Sequence, residues 1–161
     1  MIEINVFIKN PEKITKMLGV DANKAVNQGM MFAMRRSMIR LTNHIAEHKL
    51  HGQVLNVRTN RLRSSIQKSA GNRINVTSDG ISGTVGTNVI YAKIHEYGGI
   101  IKPKTKKALK FKIGNTWVTT KQVKMPKRPY MKPSLREKTG DILRFFSEDV
   151  QKYVEKIWRV A

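Results

Sequence analysis

Apolar and polar residues alternate at the start of the chain, where Ile2, Ile4, Val6 and Ile8 are separated by polar neighbours apart from Phe7. A period of two predicts a half-buried strand. Asn10-Pro11 ends it, and a short helical segment to Leu18 is expected. The period then changes. Val26, Met30, Ala33, Ser37, Leu41 and Ile45 form one stripe at helical spacing, widened by Met31, Met34 and Met38. Asp21 stands as the N-cap of a helix reaching about Lys49. At roughly 28 residues that helix is ~42 Å long. Its methionine-rich face reads as core, and alternatively as an adaptable partner surface.

His51-Gly52-Gln53 breaks the pattern. In VRTNRLRSSI, residues 57–66, Thr59 is placed to cap a short helix with Leu62 and Ile66 on one face. A strand is expected around Gln67 to Thr77, a turn at Ser78-Asp79-Gly80, and a second strand from Ile81 to Gly86. Thr87 or Asn88 would cap another short helix carrying Tyr91, Ile94 and His95, stopped by Gly98-Gly99. Leu109, Phe111 and Ile113 alternate with Lys110 and Lys112, turn at Gly114-Asn115, and return through Trp117 to Thr120. Val123 and Met125 alternate with lysines, and Pro126, Pro129 and Pro133 punctuate an extended stretch. Ser134 and Glu137 have capping-box spacing. A second long helix is expected with Leu135, Ile142, Phe146, Val150, Tyr153 and Ile157 along one face.

The elements add up to one α+β domain over residues 1–161: a small, mostly antiparallel sheet packed against two long helices, with one or two short helices. A lysine-rich loop and hairpin forms an insert near 99–126. The hairpin would be an edge element, its lysines either guarding that edge or awaiting a neighbouring subunit.

Composition narrows the function. The chain has 161 residues, 40% of them apolar, and no cysteine. That supports a real core and excludes thiolate metal sites and disulfides. No segment has the length and apolarity of a membrane span, and the N-terminus does not read as a signal peptide. A soluble protein without membrane partners is expected. The formal net charge is +20. No acid lies between Glu96 and Glu137, an interval holding twelve lysines and arginines. Such a surface favours a polyanionic or acidic partner.

Candidate chemistry is thin. HIAEH, residues 44–48, has the H-x-x-E-H spacing of inverted zinc proteases. A catalytic zinc needs a third ligand and an open position. Asp79 and Glu96 do not lie in a matching helical context, and His51 falls beyond the helix break. The plain reading is a solvated helix end, where histidine suits the macrodipole. No nucleophile elbow, phosphate-binding loop or dinucleotide fingerprint occurs. His95 and Glu96 are adjacent and so do not face each other on a helix. No enzyme activity, metal or cofactor is expected.

Three segments carry a resemblance: VRTNRLRSSI, VGTNVIYAKIHEYGG and MPKRPYMKPSL before a helix. In this order and spacing, over about residues 57–158, they resemble the tail-completion proteins of long-tailed bacteriophages. These are also called head–tail joining, neck or virion-morphogenesis proteins. The family pattern is roughly T-G-x-L-R-x-S-I, V-G-T-x-x-x-Y-A-x-x-H-E-F-G, and P-x-R-P-F-L-x-P-A-L. Asn60 stands where glycine is common, and asparagine is the next best residue for a left-handed backbone. Tyr97 and Tyr130 stand where phenylalanine is common, and Ser134 where alanine is.

The resemblance implies a structural virion protein of the neck, assembled in the host cytoplasm. It would form a ring, sixfold, at the end of the tail tube or on the portal side. Its partners would be copies of itself, the tail tube protein, and a portal, connector or head-completion protein. Closing a ring needs a heterologous interface. DNA passes through such a ring, but a strongly attractive lumen would slow ejection, so most basic residues are expected to face proteins. Tyr91, His95 and Tyr97 would pack the short helix onto the sheet. Arg128-Pro129-Tyr130 has a hot-spot composition. The expected partner-binding residues are Arg61, Arg63, Tyr91, His95, Glu96, Tyr97, Lys110, Lys112, Arg128, Pro129 and Tyr130. The alternative is a sequence-independent nucleic-acid-binding module using Arg58, Arg61, Arg63 and Arg73, with affinity falling steeply with salt.

Overall fold

A computed structural model describes residues 2–9, 22–68, 73–77 and 80–158. The order is β1 (Ile2–Lys9), α1 (Ala22–His48), α2 (Arg61–Gln67), β2 (Arg73–Thr77), β3 (Gly80–Thr87), α3 (Ala92–Tyr97), β4 (Gly99–Ile101), β5 (Leu109–Ile113), β6 (Thr116–Thr120), β7 (Val123–Met125) and α4 (Met131–Trp158). The fold is α+β. The expected segment to Leu18, the Asp21 cap, the turn at Ser78-Asp79 and the side chains of Val26 and Ile157 lie outside the described residues.

The β structure is divided where one sheet was expected. A three-stranded antiparallel sheet has the order β1-β3-β2, and two separate two-stranded pairs are β4-β7 and β5-β6. The lysine-alternating hairpin is therefore a ribbon of its own, not an edge of the main sheet. In the main sheet β3 is central, with Ile4 opposite Val85 and Ile74 opposite Gly83. The strand expected from Gln67 starts only at Arg73, because α2 continues through Gln67.

The core forms where α1 crosses β3 and runs along α4. Met30, Ala33, Met34, Met38, Leu41 and Ile45 are buried along α1, and Ile142, Phe146 and Val150 along α4. Each fully buried aliphatic side chain stabilises by ~1.5–3 kcal/mol. Met31 does not join the stripe; it is exposed. Gly83 sets the helix–sheet spacing. A Cβ there would lie 2.5 Å from Met34 Sδ and 2.9 Å from Met38 Sδ, so the helix rests on bare backbone.

A charged cluster ties the two long helices together. Asp149 is buried on α4, and its carboxylate accepts from Arg36 at 2.7 Å and Arg40 at 3.1 Å. The two arginines are four apart on α1, so both reach one partner. Arg40 also lies 4.2 Å from the Phe145 ring centre.

Candidate functional site

The three motifs are far apart in sequence, yet two side-chain links join them in space. The first link runs from VRTNRLRSSI to VGTN. Ser65 Oγ and Thr87 Oγ1 share a hydrogen bond of 2.7 Å, and Thr87 Oγ1 also accepts from Val89 N at 3.2 Å. Thr87 thus shapes the turn out of β3, and the residue preceding α3 is Tyr91 rather than a capping Thr87 or Asn88. Asn60, not Thr59, precedes α2; it is left-handed at φ 55°. That conformation explains an asparagine where the family pattern carries glycine.

The second link is Glu96. Its side chain is buried, and its carboxylate reaches the N-terminus of α4. Tyr130 N and Met131 N donate to Oε2 at 2.7 and 3.0 Å, and Lys132 N donates to Oε1 at 3.0 Å. A helix leaves its first four amides without intrahelical partners. Here Glu96 takes three, and the fourth position is Pro133, which has no N–H. The negative charge also meets the positive end of the helix dipole. A third contact reinforces the join, from Arg128 N to His95 O at 2.8 Å.

This geometry corrects several expectations. Glu96 and Tyr130, expected at a partner surface, are buried in this chain, at 1% and 0% exposure. Tyr130 meets Glu96 through its backbone N–H, and its ring lies in the core. Ser134 is not the cap. It lies within α4, and its Oγ donates to Tyr130 O at 2.6 Å. Glu137 turns instead to the C-terminal end of α1, where His44 Nε2 lies at 3.1 Å and Nζ of Lys49, the residue after the helix, at 2.7 Å. His44 is accordingly pinned between helices instead of being a solvated helix end, with the His48 ring 4.9 Å away. Among the described residues no three potential metal ligands gather. Tyr91 and Tyr97 do not pack α3 onto the sheet. Both are exposed, and Ala92 and Glu96 form the inward face.

Of the expected residues, Arg61, Arg63, Tyr91, His95 and Arg128 do come together. They line one half-open groove of about 790 Å³ between the loop after α1, α2 and α3. Leu50, Leu55 and Leu62 give it an apolar floor, and Arg58 adds a fourth guanidinium. The Tyr91 and His95 rings meet edge to face at 5.9 Å. Burial, and then the charge of Arg128, hold the His95 imidazole below its ordinary value, which favours the neutral ring. Tyr97 stands outside this group, with Lys132 Nζ 5.5 Å from its ring centre. Pro129 is half-buried.

Lys110 and Lys112 are elsewhere, on the β5-β6 ribbon. They share an exposed face with Trp117, and Lys110 Nζ lies 5.2 Å from the Trp117 ring. The opposite face carries Leu109, Phe111 and Val118, only half-buried, and Ile113, which is exposed. Sequence reasoning missed the Glu96 link and the Asp149 pair. Nothing local marks the first, since its partners lie 34 to 36 residues away. The second left a faint signal: an acid beside the apolar stripe of α4, and two arginines at helical spacing on α1.

The architecture is thus an α+β scaffold whose polar side chains mainly position backbone, beside a basic groove and an exposed ribbon. The model of the phage virion morphogenesis family matches residues 19–153, and the chain belongs to that family. The match extends beyond the three motifs to take in α1. It makes the protein a structural protein of the phage virion. No curated protein and no solved structure matches the chain. Among the described residues no helix is long and apolar enough to cross a membrane.

Proposed function

We propose that the protein completes the phage tail and joins it to the DNA-filled head, as one subunit of a six-membered ring in the neck. It acts by docking to proteins, with the tail tube on one side and a portal, connector or head-completion protein on the other. Family membership supports the virion role. The observation that carries docking is the β5-β6 ribbon. Two strands alone are marginal in water, and this pair hydrogen-bonds to neither other sheet. Its alternating apolar residues are half-buried at best, while Ile113 and Trp117 are 61% and 63% exposed. A ribbon of this kind gains a stable environment when a neighbour covers it.

Electron microscopy of particles assembled with and without the protein tests this reading. Filled heads beside free tails of normal length are the expected result without it. Overlong free tails would make it a tail terminator instead. Intact virions without it would overturn the structural role in the neck.

A further inference from the structure

The groove beside α2 and α3 has a chemistry that the ribbon lacks. Arg58, Arg61, Arg63 and Arg128 line it, and among the described residues no carboxylate does. Two polar atoms of its lining are buried without a hydrogen-bond partner among the described residues: Arg63 Nε and His95 Nδ1. A buried guanidinium N–H left unpaired is costly, and a planar guanidinium pairs best with a carboxylate or phosphate. We propose that this groove is the docking site for an acidic segment, rich in Asp or Glu, of a partner protein other than a second copy of this chain.

The choice of occupant follows from charge and shape. A second copy is a poor donor of acid: the chain has 11 acidic residues against 31 basic ones. Glu96 is buried on the start of α4, Asp149 is buried on Arg36 and Arg40, Glu137 holds His44 and Lys49, and Asp141 holds Lys138. Duplex DNA is convex and cannot fill a concave groove of about 790 Å³ with a leucine floor. Single-stranded nucleic acid is held on a series of aromatic faces. Tyr91 is the one aromatic in the lining besides the His95 ring, and the two meet edge to face. An extended peptide with carboxylates on one side and an apolar residue on the other satisfies both the arginines and the floor. The inference does not depend on where in the particle the protein sits.

The test is binding of fluorescent hexaglutamate to the full chain by polarisation. A hexathymidylate oligonucleotide of similar charge is the comparison probe. Arg61→Gln with Arg128→Gln, both exposed positions, is expected to weaken hexaglutamate binding at least ~10-fold. Lys110→Gln with Lys112→Gln removes the same charge from the ribbon and is expected to change it less than ~2-fold. Arg63→Lys keeps the charge but deletes Nε, and is expected to weaken binding several-fold. Equal losses in the two double variants would mean diffuse attraction and overturn the site. Groove-dependent binding of the oligonucleotide tighter than the peptide would overturn it in favour of nucleic acid. Self-association in sedimentation that disappears with the groove variants would overturn it in favour of a second copy.

Discussion

The Glu96 latch and the β5-β6 ribbon both contain residues expected to touch partners, and they treat those residues in opposite ways. At the latch an acid and an aromatic ring are buried, and the acid's carboxylate organises backbone. On the ribbon lysines and a tryptophan stand in solvent, and few core atoms depend on them. The lesson is that a motif letter with the chemistry of a hot spot can be a structural part. A carboxylate near a helix start does more for the fold there than it could for a partner.

Substitution at the latch should give the largest loss of stability. Glu96→Ala leaves three amides without an acceptor, two of them buried, and the expected cost is about 3–5 kcal/mol. Glu96→Gln keeps one acceptor oxygen but loses the charge at the helix end, for about 2 kcal/mol. Urea midpoints at unchanged slope measure both. A loss below that of an ordinary surface change would show that α4 starts without Glu96.

The next largest effect is expected at Asp149. Asp149→Ala leaves Arg36 and Arg40 unpaired, but their side chains are 47% and 32% exposed. Solvent softens the penalty, so about 1–2 kcal/mol is expected, together with the lost packing of α1 on α4. Thermal melts of the single and the Arg36→Ala, Asp149→Ala double variant give the coupling.

Tyr130 sharpens the comparison in the other direction. Its hydroxyl is buried with no hydrogen-bond partner among the described residues. Tyr130→Phe is therefore expected to leave stability unchanged or raise it by up to about 1 kcal/mol. Burial, then the nearby Glu96 carboxylate, push the Tyr130 phenol well above its ordinary value of 10.0. The unfolded chain releases that proton above pH 10 and the folded chain does not. Stability thus falls as pH rises past 10. The fall should be shallower in Tyr130→Phe, read as the difference between the two proteins' melting temperatures from pH 8 to 11.

The smallest stability effect belongs to the ribbon. Trp117→Ala is expected to shift unfolding by less than about 0.5 kcal/mol, yet to abolish assembly into rings or particles. A large stability loss without an assembly defect would make the ribbon part of the core.

Much of this was legible in the pattern of residues. The stripe Met30, Ala33, Leu41, Ile45 required a buried helix face, and Ile142, Phe146, Val150 required another. Asn60 in place of glycine pointed to a left-handed turn. The lysine alternation through Lys110 and Lys112, with Gly114-Asn115 between, pointed to a hairpin. Those features rest on local periodicity and backbone conformation, which adjacent residues dictate. The capping box at Ser134 misled, because a local acceptor was assumed where a distant one was already in place.

The sequence by itself determined the α+β class, the two long helices, the positive charge and the absence of thiol chemistry. Tertiary structure alone decided that the main sheet ends at three strands and that Asp149 takes both arginines. It decided too that Glu96 serves the start of α4 and that four guanidiniums converge on one groove. The physical reason is the range of the interactions. Periodicity and turn preference act over a few residues, whereas a carboxylate finds an orphan amide 34 residues away only once packing has brought them within 2.7 Å.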